Sequence, residues 1–271
     1  MCKFGVCEWC LPVNSASAIE LAHKAGFDGL QLSDLGVASQ GFPMNSPYVQ
    51  EFYLQAASDY HIELQSFHPY GLQREGTMLF PPDTPQGESA QESIRKCIDA
   101  CAEMKIPSLM VSSFFATLIR NRWEFEVYAQ HLKRAVELGR EKGVRIVYET
   151  ILNVEHILQM LEIVGPDLTL CYDLFNPLRY TLAPPEDLFT IGLEHIDHFH
   201  IKDAPADLKG YVPIGEGVGH TGELVERILQ TGYNGWFVSE NYYTLQAADS
   251  RRDLLTLLEN DVKTLRHYTQ R

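Results

Sequence analysis

The chain has 271 residues, of which 45% are hydrophobic and 21% are charged, and its formal net charge is −14. These values are typical of a globular protein with one large α/β domain or two small ones. The acidic total argues against a nucleic-acid-binding protein, which needs a basic surface to meet phosphates, and against docking on anionic membranes. We expect no membrane span, because no apolar run reaches the roughly 18 residues that a membrane helix needs.

The N-terminal stretch MCKFGVCEWCLP lacks the charged leader and the long apolar run of a signal peptide. We therefore expect a cytoplasmic protein whose six cysteines are reduced thiols. Two cysteine pairs, Cys7 with Cys10 and Cys97 with Cys101, have spacings that a four-thiolate zinc site could use. The alternative is that these side chains fill the core as small apolar groups, which is the usual role of buried cysteines.

Eight short apolar runs recur along the chain, and each is predicted to be a strand. In chain order they are KFGVCEW (3–9), FDGLQLS (27–33), IELQSFH (62–68), SLMVSSF (108–114), RIVYETI (145–151), LTLCYDL (168–174), HFHIK (198–202) and WFVSE (236–240). Most of these runs are apolar on both faces, which is typical of parallel strands that are covered on both sides.

Amphipathic helices are predicted between these strands, and several end near a glycine that precedes the next strand, as at Gly26, Gly143 and Gly232. Eight strand–helix units of about 30–35 residues fit a (β/α)8 TIM barrel, and we expect residues 1–271 to form one such domain. The competing architecture is a doubly wound open sheet. Against it, the turn after the first strand reads EWCLPVNS and has no G-x-G-x-x-G motif.

A TIM barrel places its catalytic residues at the carboxyl ends of its strands, and polar side chains gather at those ends in this sequence. In chain order they are His68, Glu149, Asp173, Asn176, His198, His200, Lys202 and Glu240. Because side chains alternate along a strand, the three residues from the seventh strand, His198, His200 and Lys202, share one face.

The three strand-end carboxylates and one histidine of this group are expected to meet at the top of the barrel. Carboxylates that surround one point repel each other unless a cation is present. With a cation they form a mixed oxygen and nitrogen site that suits one Mn²⁺, Co²⁺, Mg²⁺ or Zn²⁺ ion. Taken singly, each residue has an ordinary alternative, either as a core histidine or as a carboxylate that caps the next helix. The four together favour a metal site.

At these positions the sequence resembles the xylose isomerase-like TIM-barrel superfamily, which includes sugar and sugar-phosphate isomerases and epimerases. The motifs that carry the resemblance are YET with Glu149, CYDLFN with Asp173, HFHIKD with His200 and Lys202, PIGEG at 213–217, and VSEN with Glu240. They follow the family's order along nearly the whole chain. The resemblance implies a small-molecule sugar or sugar derivative as substrate, and leaves the oligomeric state open between a homodimer and a homotetramer.

In the ketose 3-epimerase branch of this superfamily, a Glu, an Asp, a His and a second Glu bind one divalent metal ion. By resemblance these ligands are Glu149, Asp173, His200 and Glu240, and the two glutamates are also the catalytic acid–base pair. Such a pair removes a proton next to a carbonyl on one face of the substrate and returns it on the other, through an enediolate. His198, which lies deeper on the same strand face, is expected to support the site or to belong to the core.

The sequence departs from that branch at two places. The epimerases often have a histidine three residues after the strand-six Asp, where this chain has Asn176, and an Arg soon after the strand-seven His, where this chain has Ala206. The substrate contacts are therefore expected to differ, with Asn176 as one candidate contact.

Four further residues are candidate substrate contacts, and each has an alternative role. Lys202 could bind a substrate oxyanion or phosphate, or pair with the aspartate that follows it. His68 could bind a hydroxyl group or be an ordered strand-end histidine. Glu155 stands where epimerases place a substrate-contacting Glu, or is a solvated residue near a helix N-terminus. Glu216 could reach the site from a loop whose glycines otherwise serve only to turn the chain.

We therefore predict a metal-dependent sugar isomerase or epimerase. A dehydratase acting on an inosose-type cyclitol is one alternative, because its reaction begins with the same proton removal. An apurinic-site endonuclease is another, although it would need more histidine ligands and the net charge is −14. A third is a non-catalytic sugar-binding barrel, and the presence of both Glu149 and Glu240 argues against it.

Overall fold

The computed structural model describes residues 2–33, 41–181 and 183–269. The strands of this part of the chain are β1 (Lys3–Cys7), β2 (Gly29–Ser33), β3 (Glu63–His68), β4 (Ser108–Ser112), β5 (Arg145–Glu149), β6 (Leu168–Asp173), β7 (Ile196–Ile201) and β8 (Trp236–Ser239). They follow one another in sequence order around a closed barrel. β8 pairs in parallel with β1, with Trp236 opposite Lys3 and Ser239 opposite Val6. The predicted (β/α)8 TIM barrel is confirmed.

The α-helices of the described residues are α1 (Ser15–Ala25), α2 (Pro47–Tyr60), α3 (Leu72–Glu75), α4 (Pro85–Met104), α5 (Arg122–Lys142), α6 (Val154–Val164), α7 (Leu188–Ile191), α8 (Thr221–Gln230), α9 (Tyr243–Ser250) and α10 (Leu254–Tyr268). Their ends follow local rules. At the start of α5 the Asn121 side chain accepts a hydrogen bond from Glu124 N. Helices α1 and α5 end at Gly26 and Gly143, whose φ angles of 89° and 72° are left-handed.

None of the helices in the described ranges is both long enough and apolar enough to cross a lipid bilayer.

Two compact units can be distinguished in the chain, and residues 2–31, 55–64, 172–181 and 183–269 belong to the first. This unit contains β1, β7 and β8 together with α1 and α8–α10. One phenylalanine from each of these strands packs in its core. The rings of Phe199 and Phe237 are stacked with centroids 5.5 Å apart, and Phe4 lies 6.4 Å from Phe237. Burial of such large rings is a main source of stability in a protein core.

The second unit comprises residues 32–33, 41–54 and 65–171 and contains β4 and β5 with α4–α6. Its two strands pair along their whole length, up to Ser112 opposite Glu149. Tyr128 of α5 packs on Tyr148 of β5 with ring centroids 5.6 Å apart, and its hydroxyl donates to Ser112 O at 2.8 Å. These contacts fix the end of β5, where Glu149 lies.

Some observed strands begin or end at other residues than the predicted ones. β1 ends at Cys7 because Glu8–Cys10 form a 3-10 turn, and the Glu8 carboxylate accepts a hydrogen bond from Ser15 N at the start of α1. β7 begins at Ile196, two residues before the predicted start, and ends at Ile201. Lys202 and Glu240 are therefore the first residues after β7 and β8.

All six cysteines are buried, and none of the six is in a disulfide bond. Burial raises the pKa values of Cys10 and Cys101, which disfavours the thiolate that a metal needs. Within the described ranges, no group of metal-ligating side chains combines the four cysteines of the zinc alternative. The structure therefore supports the role of these cysteines as core residues.

Candidate metal centre

Three of the predicted metal ligands lie together at the ends of the last three strands. Asp173 is the last residue of β6, His200 lies near the end of β7, and Glu240 directly follows β8. Each offers one ligand atom, and these atoms lie within 4.8 Å of one another. The three residues are 4%, 0% and 9% exposed. Two carboxylates buried this close together are unfavourable unless positive charge compensates them.

Lys202 supplies positive charge to this cluster. Its Nζ lies 2.8 Å from Asp173 Oδ2 and 2.5 Å from Glu240 Oε2, and it is buried like its partners. Burial by itself raises the pKa of Glu240, but the charges of Lys202 and His200 and the hydrogen bonds to the carboxylate outweigh it and lower the pKa to about 2. Burial prevails at Asp173 and raises its pKa, although Lys202 acts in the opposite direction. Glu240 is thus held as a carboxylate.

Asp173 is fixed through one of its two carboxylate oxygens. Oδ1 accepts hydrogen bonds from the backbone N–H groups of Phe175 and Asn176, each at 2.7 Å. Oδ2 is buried, and no described residue donates a hydrogen bond to it. Lys202 Nζ forms an ion pair with this oxygen, but the angles at the two atoms are not those of a hydrogen bond. A carboxylate that is oriented through one oxygen and leaves the other to a cation is typical of a metal ligand.

Trp9 holds Glu240 from the other end of the chain. Its Nε1 donates to Glu240 Oε1 at 3.1 Å, and its ring meets that of His200 edge-on with centroids 6.0 Å apart. Trp9 lies in the 3-10 turn after β1, and the pairing of β1 with β8 brings this turn to Glu240. The sequence-based prediction missed Trp9, because only barrel closure makes the two residues neighbours.

A buried glutamine that the sequence-based prediction also missed contacts His200. The Nε2 of His200 lies 2.7 Å from Gln31 Oε1 of β2, and its Nδ1 lies 3.7 Å from Glu240 Oε2. The thiol of Cys7, which lies opposite Gln31 in the β1–β2 pair, donates to the same amide oxygen at 3.3 Å. The sequence signal for Gln31 is a single polar residue inside the apolar run GLQLS. Such a signal is weak by itself.

His198 lies two residues before His200 on the same face of β7. The centroids of the two rings are 5.4 Å apart. The Nε2 of His198 lies 3.3 Å from Gln31 Nε2, and its Nδ1 lies 3.0 Å from the carboxylate of Asp197. His198 is fully buried. It therefore contacts the glutamine that contacts His200, while His200 itself faces the carboxylates.

The donor set fits a divalent cation. Carboxylate oxygens and an imidazole nitrogen are ligands that Mn²⁺, Co²⁺, Mg²⁺ and Zn²⁺ accept in different proportions. Asp173 Oδ2 lacks a hydrogen-bond donor among the described residues, and His200 Nδ1 faces a carboxylate oxygen. The ammonium group between Asp173 and Glu240 shows that this position favours positive charge.

Glu149, the fourth predicted ligand, is the last residue of β5 and is 4% exposed. Its backbone carbonyl accepts a hydrogen bond from Ser113 N at 3.0 Å. β5 pairs in parallel with β6, the strand that ends at Asp173. Its role as a ligand and a proton carrier belongs to the proposal below.

Two of the predicted substrate contacts are buried. Asn176 is 2% exposed, and its side-chain Oδ1 has no hydrogen-bond partner among the described residues. His68 is the last residue of β3, where its Nδ1 lies 3.1 Å from Met110 O and its ring meets that of Tyr70 edge-on. His68 thus ends a barrel strand and Asn176 lies three residues beyond the end of β6, as the sequence predicts.

Glu155 lies at the surface. It is in the first turn of α6, and Gln159 Nε2 donates to its carboxylate at 3.4 Å. This position matches the alternative of a solvated helix residue near an N-terminus, where a negative charge is favourable.

The Asp203 carboxylate accepts backbone hydrogen bonds from the glycine-rich loop after β7. The N–H groups of Gly215 and Gly217 donate to Oδ2, and that of Gly219 donates to Oδ1, each at 3.0 Å. Alternate residues of the loop thus point their N–H groups at Asp203. Glu216 lies between them, is exposed, and pairs with Arg252 at 3.2 Å.

Asp261 of α10 is a second buried carboxylate that supports this region. Its Oδ1 accepts a hydrogen bond from Ile214 N at 2.8 Å, and its Oδ2 accepts from Asn241 Nδ2 and the Tyr243 hydroxyl, each at 2.9 Å. Asn241 directly follows Glu240. Burial raises the pKa of Asp261 to about 6, although these three hydrogen bonds act in the opposite direction.

The chain is similar to several epimerases. Residues 19–260 match the sequence model of the xylose isomerase-like TIM barrel. The 2-epi-5-epi-valiolone 7-phosphate 2-epimerase of Actinoplanes sp. is 30% identical over 219 residues, which cover 80% of this chain and 78% of the relative.

Solved structures with the same fold include two further epimerases. The D-allulose 3-epimerase of Methylomonas sp. in complex with D-allulose has a TM-score of 0.74 and 16% identity, and the match covers 98% of this chain and 97% of that chain. The 3-keto-D-glucoside 4-epimerase of E. coli has a TM-score of 0.74 and 15% identity, with coverage of 98% and 100%. At these identities the two structures support the fold alone. The match over residues 19–260 and the relative with 30% identity establish that this chain belongs to the xylose isomerase-like TIM-barrel family.

Proposed function

We propose that this protein is a divalent-metal-dependent epimerase or isomerase of a keto sugar or a related keto cyclitol. The observation that carries the proposal is the buried group of Asp173, His200 and Glu240 at the ends of β6, β7 and β8. Family membership supplies the class of reaction, because the relative that is 30% identical to this chain is an epimerase.

We infer that Glu149 completes the ligand set. It is a buried carboxylate at the end of β5, the strand next to β6 in the barrel. The family model covers residues of both compact units, which supports the further proposal that residues 1–271 act as one domain. An ion held by the four side chains would polarise the substrate carbonyl and stabilise the negative charge that develops on its oxygen as the neighbouring proton leaves.

The two glutamates are the proposed proton carriers. Lys202 and Trp9 hold Glu240 as a carboxylate, so it can accept a proton from carbon. Glu149 lies three strands away in the closed order β5, β6, β7 and β8, from where it could approach the opposite face of the substrate. Removal of a proton on one face and return on the other inverts the carbon centre.

The substrate proposal follows the most informative relative. Its name describes a phosphorylated keto cyclitol whose configuration changes at carbon 2. In this chain the buried Asn176 presents an amide oxygen without a hydrogen-bond partner among the described residues, and a substrate hydroxyl could donate to it. Lys202 is already paired with two carboxylates, so we assign it to charge balance and to the carbonyl oxygen rather than to a distant phosphate.

Solvent deuterium uptake tests this function. The purified chain is treated with EDTA, supplied with Mn²⁺, Co²⁺, Mg²⁺ or Zn²⁺, and incubated in D₂O with 2-epi-5-epi-valiolone 7-phosphate, D-allulose and other ketoses and inososes with and without phosphate. We expect metal-dependent deuterium incorporation next to the carbonyl of at least one compound. An eliminated hydroxyl group instead of an inverted centre would support the dehydratase alternative.

Glutamate variants test the proton carriers. Glu149→Gln and Glu240→Gln should each lower turnover by at least about 100-fold, because each loses a proton-transferring group. Glu186→Gln, which changes an exposed carboxylate paired with Arg227, is the matched control. Retained turnover in either active-site variant, or a chain that binds none of the four ions, would contradict the proposal.

The assembly and the location of the protein complete the proposal. We expect a cytoplasmic homodimer or homotetramer, as the family resemblance suggests. Sedimentation equilibrium of the purified chain distinguishes the two oligomers, and a monomer would contradict both.

A further inference from the structure

We propose that Gln31 is a positioning residue that fixes the orientation of His200 and directs its Nδ1 toward the metal. The inference deepens the proposed function and rests on it for the presence of a metal ion. It stands on a chain of buried contacts that runs from Asp197 through His198 and Gln31 to His200.

The direction of the hydrogen bonds follows from the carboxylate at the start of this chain. Asp197 Oδ1 lies 3.0 Å from His198 Nδ1, and a carboxylate accepts hydrogen bonds, so Nδ1 carries the proton. In a neutral imidazole the other nitrogen is then an acceptor. Gln31 Nε2, at 3.3 Å from His198 Nε2, therefore donates to it.

The same order decides which nitrogen of His200 faces the carboxylate cluster. With its nitrogen used by His198, the Gln31 amide presents its oxygen to His200 Nε2 at 2.7 Å. An amide oxygen accepts hydrogen bonds, so His200 Nε2 carries the proton and Nδ1 keeps its lone pair. Nδ1 is the nitrogen that lies 3.7 Å from Glu240 Oε2, on the side of the carboxylate cluster.

The contact of Cys7 supports this orientation of the amide. Its thiol donates to Gln31 Oε1 at 3.3 Å, which gives this oxygen a second donor. A reversed amide would place its N–H group against His200 and its oxygen against His198, and would turn the lone pair of His198 Nδ1 toward the Asp197 carboxylate. That arrangement is repulsive, so the network favours a single direction.

Burial explains why the orientation would be stable. Gln31, His198 and His200 are each 0% exposed, so an unpaired polar group here would pay its full desolvation cost. Residues that orient the histidine ligands of metal sites typically change metal affinity by about 10–100-fold when they are replaced. Gln31 has the position of such a residue, although it contributes no ligand atom.

The first test needs no variant and no metal. Long-range ¹H–¹⁵N spectra of the metal-free protein report which ring nitrogen of each histidine carries the proton. At a pH where both rings are neutral, we expect His200 to be protonated on Nε2 and His198 on Nδ1. A neutral His200 ring protonated on Nδ1 would overturn the inference, whether or not the protein proves to be an epimerase.

The second test replaces Gln31 by residues of similar size. Gln31→Met removes the polar contacts with His198, His200 and Cys7. It should weaken Co²⁺ binding about 10–100-fold, with a changed visible spectrum of bound Co²⁺ and a mixture of His200 tautomers. Gln31→Glu keeps an acceptor for His200 Nε2 but places a second carboxylate oxygen against His198 Nε2. It should therefore bind Co²⁺ more tightly than Gln31→Met and more weakly than wild type. Gln65→Met, which removes another buried strand glutamine, is the matched control.

The outcomes separate the two proposals. If Gln31→Met folds and keeps the wild-type Co²⁺ affinity and spectrum, Gln31 is only a core residue and the inference fails. If wild-type protein binds no Co²⁺ or Mn²⁺, the proposed function fails, while the tautomer measurement still decides the role of Gln31.

Discussion

Lys202 Nζ lies 2.5 Å from Glu240 Oε2, in a region where both side chains are buried. The same ammonium group lies 2.8 Å from Asp173 Oδ2. One lysine therefore compensates two carboxylates of the candidate metal centre. Without a metal ion it keeps this cluster compatible with folding. In the proposed metal-bound site, a divalent ion and the carboxylates of Glu149, Asp173 and Glu240 would have a net charge of −1, which the lysine would compensate.

Replacement of Lys202 by Met should destabilise the metal-free protein. Two buried carboxylates would lose their cation, and removal of one partner from a buried ion pair typically costs about 3–5 kcal/mol. Urea denaturation in EDTA measures the change. Mn²⁺ should restore much of the loss, because it supplies positive charge at the same place.

Lys3→Met is the matched control for this prediction. Lys3 lies 2.6 Å from Glu63, but both side chains are about half exposed. Exposed pairs contribute roughly 0–1 kcal/mol. Equal losses in the two variants would show that the buried lysine has no special electrostatic role.

His200→Ala should abolish tight metal binding while the barrel remains folded. The variant removes the nitrogen ligand and the acceptor contact of Gln31, so we expect the affinity for Co²⁺ to fall by at least about 100-fold, beyond the effect of an orienting residue. Absorption titrations with Co²⁺ measure the affinity, and circular dichroism checks the fold. His156→Ala, which changes a histidine of α6 packed on Phe125, should bind Co²⁺ like wild type.

Sequence patterns could predict the site residues whose positions follow a general rule of the fold. Strand-end residues such as Asp173 and Glu240 follow apolar runs, and the barrel rule places such residues at one rim. Trp9 and Gln31 obey no such rule, since their contacts with Glu240 and His200 depend on the closure of the first strands against the last. Contacts across 169 and 231 positions leave no local pattern.

Glu216 is a residue whose motif predicted a place in the site but could not predict the direction of its side chain. Its motif PIGEG pointed to the site, and the loop does begin at the end of β7. The side chain is nevertheless exposed, because the N–H groups of Gly215 and Gly217 on either side both turn toward Asp203. Motif position alone could not predict which way the alternate residues of the loop face.

Asp203→Asn should loosen the glycine-rich loop. The aspartate accepts four backbone hydrogen bonds, from Ala204, Gly215, Gly217 and Gly219, whereas an Asn side chain has only one acceptor atom. Leaving a buried N–H group without a partner costs about 1–3 kcal/mol, and a partly buried one costs less. We therefore expect a loss of about 1–3 kcal/mol in the free energy of unfolding.

Hydrogen exchange locates this effect. The amides of Gly215, Gly217 and Gly219 should exchange faster in Asp203→Asn, while the helices keep their protection. Asp207→Asn is the matched control, since Asp207 accepts one hydrogen bond from Lys209 N on the exposed part of the same segment. Unchanged exchange at the three glycines would contradict the assigned role of Asp203.

Asp261 should make the stability of the protein depend on pH. Burial raises its folded-state pKa to about 6, above the unfolded value of about 3.9. A raised pKa means that the folded state binds the proton more tightly, so the stabilisation from Asp261 is complete below about pH 4 and is lost as the pH rises through about 6. Two pKa units correspond to about 3 kcal/mol.

Asp261→Asn isolates this contribution from those of the other carboxylates. The difference in unfolding free energy between wild type and variant, measured by urea denaturation from pH 4 to pH 8, should favour wild type most at the acidic end and decline toward pH 8. The decline should level off above about pH 7, where the folded carboxyl is ionised. A difference that stays constant would show that Asp261 has an ordinary pKa in the folded protein, and one that grows with pH would show a lowered pKa. Either result would mean that its three hydrogen bonds offset its burial.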